Sequence, residues 1–104
     1  MISWPCTLKL DGDDELIYLG SEQDFISECE ELLLCDNDYV IDSVGNSYII
    51  EQTSGKLELI KTERILLVNE VSSLIRAHEF KKATLCLTKI HFLTVSDAIK
   101  SLTY

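Results

Sequence analysis

A chain of 104 residues, 46% hydrophobic and 26% charged, is long enough to fold as one domain around a buried core without metal or disulfide staples. One proline and four glycines are too few for a disordered or linker-rich chain. The net charge of −9 disfavours nucleic acid and anionic membranes as partners for the whole molecule, because both demand a basic footprint.

Trp4, Cys6, Leu8 and Leu10 alternate with Pro5, Thr7 and Lys9, the period of a strand with one buried face. Pro5 cannot donate to a ladder, so it belongs at the start of that strand or on an edge. Asp11-Gly12 predicts a hairpin turn, since glycine accepts the positive φ such turns need. Leu16-Ile17-Tyr18-Leu19 reads as the return strand. It is apolar on both faces, which predicts a place inside the sheet rather than at its edge.

Ser21 opens a helix, with Asp24 three residues on in a variant of the capping box. Phe25, Ile26, Cys29, Leu32 and Leu33 form its apolar stripe. Glu22, Ser27, Glu28, Glu30 and Glu31 lie on the other face. Glu30 and Glu31 fall in the helix's second half, where the dipole does not favour acids. Cys35-Asp36-Asn37-Asp38 ends the helix.

A meander follows. Residues 39–43 pair with 47–52 across Gly45-Asn46, and Ser54-Gly55 turns the chain into residues 56–60. Residues 61–67 are compatible with strand, loop or helix entry. A second helix spans about Val68 to Phe80, with Val68, Val71, Leu74, Ile75 and His78 on its apolar stripe. Residues 84–92 read as a strand. A last helix begins at Thr94-x-x-Asp97 and buries Val95, Ala98, Ile99 and Leu102. The expected class is α+β in the order ββαβββαβα, a mainly antiparallel sheet with helices packed on one face, within a single domain over residues 1–104.

Charge is unevenly placed. Residues 1–55 carry thirteen acids and one base, a net −12, whereas residues 56–104 carry eight bases and five acids, a net +3. No apolar run approaches the roughly 18–20 residues of a membrane span. The amino-terminal segment lacks the basic and apolar regions of a secretory signal. These features predict a cytoplasmic protein whose four cysteines stay reduced.

The densest chemical feature is Asp11-Gly12-Asp13-Asp14-Glu15. Its carboxylates are candidate oxygen ligands for a divalent cation. Counting from Asp11, however, the twelve-residue calcium loop would need Gly where Leu16 stands and Glu at position twelve, Glu22. A solvated hairpin explains the cluster more simply. Cys6, Cys29, Cys35 and Cys86 have no C-x-x-C spacing and fit structural thiols better than zinc. His78 reads as a buried structural histidine. A pairing of Cys86 with His78 or His91 lacks any orienting third group. Arg76, Lys81, Lys82 and Lys89 form a basic cluster around the second helix, best explained as a solvated helix end. Glycine-rich phosphate loops are absent, and no cofactor is expected.

Trp4-Pro5, Gly12-Asp13-Asp14-Glu15-Leu16, Asp42-Ser43-Val44-Gly45 and Leu74-Ile75-Arg76-Ala77-His78 together resemble a small bacterial family catalogued as a domain of unknown function. The resemblance covers nearly the whole chain and implies a soluble, single-domain bacterial protein. It brings no activity, cofactor or catalytic residue. The family pattern leads one to expect a glycine near Lys82-Ala83, where this chain has none.

The biochemical function is not written in these residues. The leading expectation is a non-enzymatic module that meets a basic protein partner through Asp13, Asp14, Glu15, Glu28, Glu30 and Glu31. The alternative is a small-ligand or divalent-cation domain using Asp11, Asp13, Asp14 and Glu15, with Asp36 and Asp38 as further candidates.

Overall fold

The computed structural model describes residues 2–30, 37–53, 56–82 and 92–103. Among the described residues, five strands form one antiparallel sheet: β1 (Cys6–Lys9), β2 (Leu16–Leu19), β3 (Tyr39–Ile41), β4 (Asn46–Thr53) and β5 (Lys56–Ile65). Their spatial order is β2-β1-β3-β4-β5. Three α-helices accompany them, α1 (Glu22–Glu30), α2 (Val68–Lys82) and α3 (Val95–Lys100), with a 3-10 turn at Ser101–Thr103. This is the expected α+β fold, and the described elements follow the expected order.

β1 starts at Cys6, directly after a cis Trp4-Pro5 bond, so Pro5 never has to donate to the ladder. The β1–β2 turn puts Gly12 at φ 76°. Ser21 caps α1 by accepting from the Asp24 N–H at 3.3 Å, and the Asp24 carboxylate reaches back to the Gly20 N–H at 3.0 Å. Thr94 caps α3 in the same way, its Oγ1 accepting from the Asp97 N–H at 3.0 Å. α2 has no such residue before it. Glu70 substitutes by accepting from the Leu67 N–H at 3.1 Å.

Two expectations change. The helices divide between the two faces of the sheet instead of sharing one. Cys6, Leu8, Leu19, Val40 and Tyr48 pack with Phe25 and Cys29 of α1. Leu16 and Ile41 pack on the opposite face with Val71 and Ile75 of α2 and with Val95, Ala98 and Ile99 of α3. The inner strands are apolar on both sides of the pleat, so each side needs its own cover.

The second change follows from the first. Among the described strands, β2 stands at the end of the order, not inside it. Its two-faced apolarity reflects helices above and below. The Leu16 N–H donates to His78 Nδ1 at 2.9 Å. His78 is therefore the buried structural histidine expected, neutral at Nδ1 with its proton on Nε2. Exchanging His78 for leucine keeps volume but leaves that N–H without its acceptor. A loss of about 1–3 kcal/mol is expected, measurable as a lower urea midpoint at unchanged slope.

Residues 61–67, compatible with strand, loop or helix entry, are strand and link. β5 continues to Ile65, opposite Asn46, and Leu66-Leu67 links it to α2. α2 runs to Lys82, two residues beyond its expected end. The expected strand over 84–92 lies outside the described residues except Phe92, which belongs to no strand. Leu32 and Leu33, expected on the apolar stripe of the first helix, also lie outside them.

Candidate functional site

Asp13, half-buried, accepts from the Glu15 N–H at 3.0 Å, while its own N–H bonds the Leu10 carbonyl at 3.2 Å. Lys9 Nζ donates to the Leu10 carbonyl at 3.0 Å and also to the Asp13 carbonyl. The turn is thus a closed local structure. Asp11, Asp14 and Glu15 are exposed around it. Among the described residues, no three His, Cys, Asp or Glu side chains gather as a metal site.

Asp38 ties this turn to the rest of the acidic half. It is buried, and its carboxylate accepts from the Asp11 N–H at 2.6 Å. Its charge also reaches Cys29, near the end of α1. Burial and then the charges of Glu28 and Asp38 push that thiol up to about 11. Lys9 pairs with both Leu16 and Tyr39, which puts Asp38 and the hairpin turn at one end of the sheet. Cys29 and Glu30 of α1 line a cavity with Gln52 and Lys56 at the β4–β5 turn on that same end, so the two acidic segments share it. Glu28 and Glu30 are exposed there; Glu31 and Asp36 lie outside the described residues.

A second carboxylate, Asp42, is wholly buried. It accepts from the backbone N–H of Ser3 at 3.2 Å, Val44 at 3.1 Å and Asn46 at 2.9 Å, from Asn46 Nδ2 at 3.4 Å and from the Tyr48 hydroxyl at 2.9 Å. Ser43 completes the closure, donating from its N–H to the Ser3 carbonyl at 3.0 Å and from Oγ to the Pro5 carbonyl at 2.5 Å. Nothing here opens to a substrate. The site holds the amino-terminal segment against the β3–β4 turn.

Its neighbours share its burial. Burial, then the Asp42 charge, pushes the Cys6 thiol up to about 12. Burial, then the hydrogen bond to Asp42, pushes the Tyr48 hydroxyl up to about 12. Neither Cys6 nor Cys29 is a ready nucleophile at neutral pH. Both are free thiols on apolar faces, as expected; Cys35 and Cys86 lie outside the described residues.

The raised values carry a sign. Folding holds these groups protonated, whereas in the unfolded chain the thiols ionise near 9.0 and the phenol near 10.0. Their contribution is complete below pH 9 and is lost as pH rises toward the folded-state values. Each thiol costs up to about 1.4 kcal/mol per pH unit above its ordinary value. Melting temperature is expected to fall steadily from pH 8.5 to 11, with alkylation of Cys6 and Cys29 following the unfolding.

One concave surface was not legible in the sequence. Two adjoining cavities of about 580 and 360 Å³ lie between α1 and the outer strand β5, and both are lined by Leu57 and Glu58. Glu22, Ile26 and Glu30 line the helix side, Leu57 to Leu59 the strand side, with Ile2 and Trp4 at one end. Trp4, Ile26, Leu57 and Leu59 are half-buried. The period-2 and period-3.6 patterns mark these residues as apolar, but they do not show that α1 leaves part of the sheet face open.

A family model described as a protein structure with unknown function, DUF4144, matches residues 4–102. The chain belongs to that family. No curated protein matches it. An NMR structure of a protein from Shewanella amazonensis is similar, with a TM-score of 0.73 and 29% identity, covering 98% of this chain and 88% of that one. The DUF4144 match spans Asp42 and all of α1 and β5, and it assigns no role to either site.

Proposed function

We propose that the chain is a non-enzymatic interaction module, bacterial and cytoplasmic, whose acidic face receives a basic protein partner. The observation that carries this reading is the convergence at Asp38. The hairpin acids Asp13, Asp14 and Glu15 and the helix acids Glu28 and Glu30 come to one end of the sheet. α1 carries Glu22, Asp24, Glu28 and Glu30 and no base. An acidic surface of this kind steers a basic partner and speeds encounter in a salt-dependent way.

The buried chemistry supports the same reading. Cys6, Cys29, Asp42 and His78 are each engaged in holding the fold. The free thiols fit a reducing compartment, and among the described residues no helix is long and apolar enough to cross a membrane. The cation-binding alternative has weaker support, because the Asp13 and Asp38 carboxylates already accept backbone N–H groups.

The test is cross-linking capture from cell extract at low and at high salt, with the E15K/E28K double variant beside the parent chain. One or a few basic proteins, recovered at low salt and lost with the variant, are the expected result. Recovery of nothing at low salt would reject the reading.

A further inference from the structure

We infer that the groove between α1 and β5 takes an extended, basic segment of the partner, of the pattern Lys/Arg-x-apolar-x-Lys/Arg. This rests on the acidic-surface reading and gives it a defined seat.

Glu22, Ile26 and Glu30 follow one another at intervals of four residues along α1, so they form one row. Four residues of helix advance about 6 Å. Every second residue of an extended chain faces the same way, at intervals of about 6.6 Å. A segment with a cation, an apolar side chain and a second cation at alternate positions matches the row residue by residue. Its cations meet Glu22 and Glu30, and its apolar side chain meets Ile26.

The rest of the groove fits that occupant. Leu57 and Leu59 offer apolar surface opposite α1. The acids that border it are Glu22 and Glu30 on the helix side, a negative edge along an apolar floor. On β5 the alternation that turns Leu57 and Leu59 toward α1 turns Lys56 and Glu58 to the other face. An apolar anchor inside a charged rim is how peptide grooves combine affinity with selectivity. A short peptide is not a stable helix in water, so the extended form is the one such a segment offers. An acidic or wholly polar segment finds no match here.

The chain contains its own reporter. Trp4 is its single tryptophan and lines the end of the groove. The experiment titrates the intact protein with the peptide Gly-Lys-Thr-Leu-Thr-Lys-Gly at low salt, following Trp4 emission and amide chemical shifts. Two control peptides carry glutamate for both lysines, or serine for leucine.

A saturable change at Trp4, Ile26 and Leu57 is expected, absent with the glutamate peptide and weakened about tenfold or more with the serine peptide. E22K and E30K are each expected to weaken binding about three- to tenfold. Both positions are exposed, so the variants should keep the parent spectrum elsewhere, and Glu22→Gln provides a milder version. Equal binding by a control peptide overturns the groove. Salt-dependent binding that shifts only Asp13 to Glu15 and Glu28, with Trp4 unmoved, also overturns the groove but leaves the acidic surface standing. No saturable binding of the lysine peptide at low salt overturns the groove, and the capture experiment then decides the acidic surface separately.

Discussion

Exchanging Asp42 for alanine is expected to cost about 3–5 kcal/mol, the cost typical of breaking up a buried charged hydrogen-bond network. The carboxylate accepts five hydrogen bonds, from Ser3, Val44, Asn46 twice and Tyr48. Truncation leaves the Tyr48 hydroxyl and the clustered N–H groups beside it without an acceptor. It also loosens the tie between Ser3 and the β3–β4 turn. Asparagine is a milder change, because its carbonyl oxygen can still accept from Val44 and Asn46. Its amide, however, would point donors at the Tyr48 hydroxyl and the Ser3 N–H. About half the alanine cost is expected. Urea unfolding followed at the tyrosines measures both, and equal stability of D42A and the parent would contradict the account. A domain of this size has about 5–15 kcal/mol in total, so D42A is expected to be partly unfolded at 37 °C.

Gly45→Ala should be comparably severe. Gly45 has φ 92°, and a Cβ built there would stand 2.3 Å from the Leu66 carbonyl oxygen. That obstacle is backbone and cannot swing aside. The Leu66 N–H also donates to the Gly45 carbonyl at 2.8 Å, so relieving the clash means breaking the contact that seats Leu66 in the core. Left-handed backbone alone costs about 1–2 kcal/mol for alanine. With the displaced strand end, about 3–5 kcal/mol is expected. Gly12→Ala is the internal comparison. Gly12 also has positive φ, at 76°, but nothing lies within 4 Å of the added Cβ. It should lose only the backbone component. Thermal melts of the two variants side by side separate strain from collision, and equal losses would remove the role assigned to Leu66.

These two sites mark where sequence reading stops. Asp42-Ser43-Val44-Gly45 is legible as a turn because its residue types have local reasons to be there. Nothing local shows that Ser3 and Tyr48 also converge on Asp42, or that Leu66 presses on Gly45. The capping groups at Ser21 and Thr94 were legible for the opposite reason, since their partners stand three residues away. β2 was misplaced because apolar residues on both faces look alike whether the cover is more sheet or two helix layers. Residues 61–65 lack clean alternation, as expected of a strand end exposed on most sides, so only the pairing with β4 reveals them. The hairpin acids and Glu28 were found as residues. Their shared end of the sheet was not, because it depends on strand register and on where α1 packs.

The sheet separates two apolar layers, and this bears on how the molecule breathes. α1 closes one layer and α2 with α3 closes the other, so fluctuations that lift α1 need not disturb the opposite face. The chain should therefore show two tiers of amide-exchange protection, with α1 opening at lower free energy than α2. A segment seated beside Ile26 would slow exchange in α1 and leave α2 almost unchanged. Ligand binding would then register as selective stiffening of one layer, visible even if the average coordinates hardly move.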